Sequence, residues 1–156
     1  MESADFLIVP LLQGFFWFDE SLQNYLRQKG WPAVTRPQSM VMVSIVRGVT
    51  RPSDIARDLG VSRQAIHATI NGMVEIGLVE LIDDPGDRRS KIVAISAQGA
   101  KMREHAREAI ILISRELTRR IGVPKLEALR AAMAADWGPP LETFEASAPL
   151  KLVGKS

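Results

Sequence analysis

Four polar side chains near the middle of the chain have the types and spacing to read the edge of a nucleic-acid base: Arg63, Gln64, His67 and Asn71. On a helix, steps of one, three and four keep them on one side, while Ile66, Ile70 and Met73 take the opposite one. An arginine can donate two parallel hydrogen bonds to guanine, and a glutamine or asparagine pairs with adenine in the same way. Ser62 precedes them, where it can cap the helix and touch a phosphate beside the N–H groups of the first turn. A second cationic pair, Arg88 and Arg89, follows Asp87 at the end of a turn-rich run, Asp83-Asp84-Pro85-Gly86-Asp87.

Other chemistry is poorly supplied. The chain has no cysteine, which removes disulfides, thiolate metal sites and thiol redox sensing. His67 and His105 are far apart, and neither has a partner at metal-ligand spacing. His105 lies beside Glu104 and Glu108 on a helical stretch and reads as a solvated residue. Asp83, Asp84 and Asp87 lack the ligand spacing of a calcium loop and read as turn chemistry. No Ser/His/Asp set, phosphate loop or paired-carboxylate cleft can be assembled, so an enzyme is not expected, and neither is a cofactor.

The elements that must position these groups follow from periodicity. Pro10 to Lys29 reads as a helix with Leu11, Phe15, Phe18, Leu22 and Leu26 on one stripe. Leu12, Phe16 and Trp17 lie off that stripe, so its first half needs cover on more than one side, most simply from another subunit. Phe15 and Phe18 read as dimer core, whereas Phe16 and Trp17 are candidates for lining a ligand pocket. Thr35-Arg36-Pro37-Gln38 reads as a capping box opening a helix through Val46, and Thr50-Arg51-Pro52-Ser53 repeats the code for a short helix, Ser53 to Leu59. Gly60 takes a left-handed turn, Val61 plugs it, and Ser62 caps the helix carrying the base-reading face. Alternation then predicts strands over Leu78–Ile82 and Lys91–Ser96. Ser96 caps a long helix, about Ala97 to Ile121, with Met102, Ala106, Ile110, Ile113 and Leu117 on one stripe, and Pro124 starts a last helix ending at Trp137.

The formal net charge of the whole chain is +2, which permits a nucleic-acid partner without demanding one. Between Arg47 and Lys91 seven cations meet seven anions, so that stretch is neutral and the placement of charge, not its amount, has to carry the case. The apolar run Phe6 to Phe18 is flanked by Glu2, Asp5, Asp19 and Glu20 and is short of the ~20 residues a bilayer span needs, so a cytoplasmic protein without a membrane partner is expected.

The run Asp54-Ile55-Ala56-Arg57-Asp58-Leu59-Gly60-Val61-Ser62-Arg63-Gln64 resembles the helix-turn-helix of the multiple antibiotic resistance regulator (MarR) family. The likeness continues through Gly77-Leu78-Val79, Asp83 to Lys91 and Ile92-Val93-Ala94-Ile95-Ser96, and covers about Thr35 to Gly99. Its most specific part is the wing motif Asp87-Arg88-Arg89. The resemblance implies a mainly α fold with a small β-wing: a winged helix-turn-helix between intertwined N- and C-terminal dimerisation helices. The expected organisation is an N-terminal dimerisation helix (1–34), a DNA-binding region (35–96), C-terminal dimerisation helices (97–138) and a mobile tail (139–156). It also implies a homodimeric transcriptional regulator, commonly a repressor released by a small, often phenolic, molecule. Arg89, with Arg88, would then enter a minor groove of double-stranded DNA, and Asp87 would hold the wing.

On that reading Arg63, Gln64, His67 and Asn71 face the bases of a pseudo-palindromic operator, and Arg51, Ser62 and Lys91 meet phosphates. Ala68 and Gly72 stand where the family often carries a long or basic side chain, and Val74 and Ile76 replace charged residues, which predicts thinner phosphate contacts. The neutral reading head, Val74 and Ile76 also motivate a rival, a winged helix that binds protein rather than a DNA sequence. Steep weakening by salt separates the two.

Overall fold

A computed structural model describes residues 6–143, so the expectation of a mobile tail falls mostly on residues outside that range. The order is α1 (Ile8–Gln28), α2 (Arg36–Val46), α3 (Pro52–Leu59), α4 (Arg63–Glu75), β1 (Val79–Asp84), β2 (Asp87–Ile95), α5 (Ala97–Ile121) and α6 (Val123–Ala134).

Local capping fixes most of these starts. The Thr35 Oγ1 accepts from the Gln38 N–H while the Gln38 Oε1 accepts from the Thr35 N–H at 2.9 Å, a complete capping box, with Pro37 in the first turn of α2. Ser62 caps α4 by accepting from the Ala65 N–H at 3.1 Å, and Ser96 caps α5 by accepting from the Gly99 N–H at 2.9 Å. Between α3 and α4, Gly60 takes a left-handed conformation (φ 65°) that a side chain would disfavour.

The capping expected at Thr50 is not seen. The N-cap of α3 is Arg51, with no side-chain cap bond, and Thr50 instead lends its carbonyl to the Val93 N–H at 2.9 Å. The neighbouring strand competes successfully for that backbone, and Pro52 supplies the preset φ at the helix start. Val61 does not plug its turn either; it is 45% exposed. The core beneath is already filled by Ile55, Ala56, Ile66, Ile70 and Met73, with Val41, Ile45, Val79 and Val93 from the flanking elements.

A second, smaller core joins Leu26, Leu78 and Met102, with Leu22, Trp31, Val34, Ile76 and Ala106 packed against it. It ties α1 and α5 to the end of the reading head. Within one chain much of the apolar surface of these helices stays uncovered, although Ala109, Ile113 and Leu126 are buried: Leu12 and Phe15 on α1, Ile110 and Ile111 on α5, and Leu129 and Met133 on α6 are all exposed. This agrees with the expectation that α1 needs a second covering surface. No helix among the described residues is long and apolar enough to cross a membrane.

Candidate nucleic-acid interface

The polar face of α4 emerges as its spacing predicts. Ile66, Ile70 and Met73 are fully buried, whereas Arg63, Gln64, His67, Ala68 and Asn71 are exposed. Among the described residues, none of the Arg63, Gln64, His67 and Asn71 side chains is engaged in a hydrogen bond or ion pair, so their donors and acceptors face solvent. Gly72 belongs to the other side of the helix: a Cβ there would lie 3.2 Å from the Gln38 Nε2 on α2. Its smallness therefore serves the α2–α4 approach, and the thinning of phosphate contacts expected at this position does not apply.

The wing is tighter than the sequence suggests. Its strands pair antiparallel from Val79↔Ile95 to Asp83↔Lys91, slip between Asp83 and Asp84, and close with Asp84 opposite Asp87. Only Pro85 and Gly86 lie between the strands, and Arg88 and Arg89 stand on β2 itself rather than in an open loop. Neither arginine has a cross-strand partner: residues 88–90 bulge out between the Asp84↔Asp87 and Asp83↔Lys91 pairs, so both stand exposed at the wing tip. Asp87 fixes the backbone beneath them: its Oδ1 accepts from the Arg89 N–H at 3.1 Å and its Oδ2 from the Ser90 hydroxyl at 2.8 Å. The Ser90 hydroxyl first, and then the Arg89 amide, hold this carboxyl below the usual aspartate range.

Pairing removes four cations and four carboxylates from the reading head and leaves Glu75, Glu80 and Asp87 without an ion-pair partner among the described residues. Arg47 pairs with Asp58, Arg51 with Asp84, Arg57 with Asp54 and Lys91 with Asp83. The remaining three of the seven cations, Arg63, Arg88 and Arg89, have no carboxylate partner among the described residues. All three stand at the start of α4 or the tip of the wing. Arg51 and Lys91, expected at phosphates, are thus engaged with carboxylates, though the Lys91–Asp83 pair is largely solvent-exposed and weakly held.

The two aromatic pocket candidates part company. Trp17 lines an open apolar groove of about 1040 Å³ together with Phe15, Phe18, Leu22, Met102 and Met133. Phe16 lies outside this lining and presents its ring to the Arg36 guanidinium, 3.9 Å from the ring centroid. Arg36 in turn reaches Asp19 at 3.3 Å; this aspartate reads from sequence as a polar flank, yet is only 8% exposed. Its partner is 17 residues away, and no local pattern announces the pair.

Two short helices crossing over a left-handed glycine turn, followed by an antiparallel hairpin with arginines at its tip, define a winged helix-turn-helix. Residues 34–90 match the model of the MarR family. The reading head of this chain is thus similar to that of the MarR family. An uncharacterized protein of Mycobacterium tuberculosis is 30% identical over 94 residues, covering 59% of this chain. The chain spans 65% of the length of that relative. An uncharacterized HTH-type transcriptional regulator of Bacillus subtilis is 28% identical over 112 residues, covering 70% of this chain and 71% of that protein. Among solved structures, wild-type MarR of E. coli in its apo form superposes with a TM-score of 0.65 at 22% identity, over 81% of this chain and 93% of that one. A MarR-family transcriptional regulator of a Rhodococcus species gives 0.62 at 17% identity, over 85% and 94%. The observed fold is thus the MarR winged-helix fold, mainly α with one small hairpin.

Proposed function

We propose that the chain is a homodimeric, sequence-specific DNA-binding transcriptional regulator, as MarR-family members are regulators of transcription rather than enzymes. One observation carries this reading: the cations left without a carboxylate in a neutral reading head are Arg63, Arg88 and Arg89, on the recognition helix and the wing. A protein-docking module has no need of that sorting, whereas a duplex supplies the missing anions.

In this reading α4 enters a major groove, where Arg63, Gln64, His67 and Asn71 meet base edges, and Ser62 and the first turn of α4 meet a phosphate. Arg89, with Arg88 beside it at the wing tip, enters the flanking minor groove. Lys91 can exchange its exposed carboxylate for a phosphate. A two-fold dimer, closed by the uncovered faces of α1, α5 and α6, sets half-sites about 34–36 Å apart on a pseudo-palindromic operator. The groove beside Trp17 would take a small aromatic effector, and repression relieved by that effector is the regulatory mode we favour.

Binding of the purified protein to genomic fragments that co-purify with it, titrated against salt, tests the proposal. A steep loss of affinity with salt is expected, together with greatly weakened but measurable binding in Arg89→Ala while the dimer stays folded. Salt-independent binding, or unchanged affinity in that variant, would refute the wing assignment.

A further inference from the structure

Thr50 and Arg51 end the short link (47–51) between α2 and α3, and both are fastened to the wing. The Thr50 carbonyl accepts from Val93 on β2. The Arg51 guanidinium donates through Nε at 2.7 Å and lies 2.5 Å away through Nη2, both at the same Oδ2 of Asp84, the last residue of β1. The other oxygen of that carboxylate, Oδ1, accepts from the Gly86 N–H at 2.8 Å inside the wing turn. One carboxylate, only 10% exposed at its side chain, thus joins the start of α3 to the turn that carries Arg88 and Arg89.

A two-stranded ribbon is marginally stable by itself, so its pose depends on what it is tied to. We infer that Arg51 is a positioning residue: through Asp84 it sets the angle of the wing, and so the reach of Arg88 and Arg89, instead of contacting a phosphate itself. This rests on the DNA-binding reading above, and it reverses the role expected for Arg51 from its sequence position. The proximity of charges supports it from both sides. The Gly86 amide and then the Arg51 guanidinium hold the Asp84 carboxyl below its usual range, and Asp84 raises Arg51 in turn.

The two roles for Arg51 differ in the sign of one experiment and the additivity of another. Asp84→Asn keeps an Oδ1 acceptor for Gly86 and removes the charge that holds Arg51. A phosphate-binding Arg51 would be released by this change, and affinity for an operator fragment would hold or rise. A positioning Arg51 loses its anchor, and affinity falls roughly tenfold. The second experiment combines Arg51→Met with Arg88→Ala/Arg89→Ala, with folding of each variant checked by circular dichroism. A positioning residue has nothing left to aim once Arg88 and Arg89 are removed, so Arg51→Met is expected to add no loss in an Arg88→Ala/Arg89→Ala background. The salt dependence in that background is likewise expected to stay unchanged. A further loss there, with a salt slope smaller by about 1, marks a phosphate contact and overturns the inference while leaving DNA binding intact. Full affinity in the Arg88→Ala/Arg89→Ala protein overturns it in a different way, because the wing then has no part in binding.

Discussion

The indole Nε1 of Trp31 donates to Nδ1 of His105 at 2.7 Å, their ring centroids 5.8 Å apart, and so pins the loop after α1 to α5. Both residues are half-buried, and Trp31 packs on the small core of Leu26, Leu78 and Met102. His105 is therefore not the solvated histidine that its acidic neighbours suggest. With Nδ1 accepting, the neutral ring carries its proton on Nε2. Trp31→Phe should cost about 1–2 kcal/mol in urea unfolding, from the lost hydrogen bond and trimmed packing. In a double-mutant cycle, His105→Ala should add less in the Trp31→Phe background than in the wild type.

The joint between α5 and the reading head has no room to give. Ser96 donates its N–H to the Leu78 carbonyl at 3.1 Å and its hydroxyl to the Gly77 carbonyl at 2.5 Å. One turn later a Cβ on Gly99 would overlap that same Leu78 carbonyl oxygen and press on the Ile95 side chain. Backbone cannot swing aside as a flexible side chain can. Gly99→Ala should lower stability by about 1–3 kcal/mol despite its better helix propensity, read from thermal unfolding. A neutral or stabilising result would mean that α5 slides freely on the head.

Gly72 sets the opposite case. Its Cβ would meet the end of the Gln38 side chain rather than backbone, at 3.2 Å. Gly72→Ala is expected to stabilise by less than the ~1 kcal/mol propensity gain, because Gln38 must shift while keeping its cap on Thr35. Operator affinity should not change, since the residue faces α2. A weakened DNA complex with unchanged stability would place position 72 at the nucleic acid after all.

Acid should act on the wing through Asp84. Its folded-state carboxyl lies below the ordinary value, owing to the Gly86 amide and the Arg51 guanidinium. A depressed value stabilises the fold fully above the unfolded carboxylate range, about pH 3.9, and the benefit disappears as pH falls through the folded value. The melting-temperature gap between wild type and Asp84→Asn should thus be open near neutrality and close below about pH 3.9. A gap of constant size down to pH 2 would show that the ion pair contributes nothing.

Much of this molecule is decided within a few residues of chain. The capping box of Thr35 and Gln38, the caps at Ser62 and Ser96, the Gly60 turn and the buried face of α4 all rest on contacts three or four residues apart, or on one residue's φ. Such features can be read in sequence because local geometry leaves few alternatives. So can the Asp87-Arg88-Arg89 tip, whose bonds span two and three residues.

Tertiary structure decided which charges are spent and which remain free. The Arg51–Asp84 pair spans 33 residues, Trp31–His105 spans 74, and Asp19 meets Arg36 across 17. Each depends on two elements meeting at one angle, which neither element's own sequence fixes. The base-reading helix and the arginine tip were thus legible as chemistry in the sequence alone. Which three arginines of the neutral reading head stay unpaired needed the fold, because only packing chooses the partner of each carboxylate.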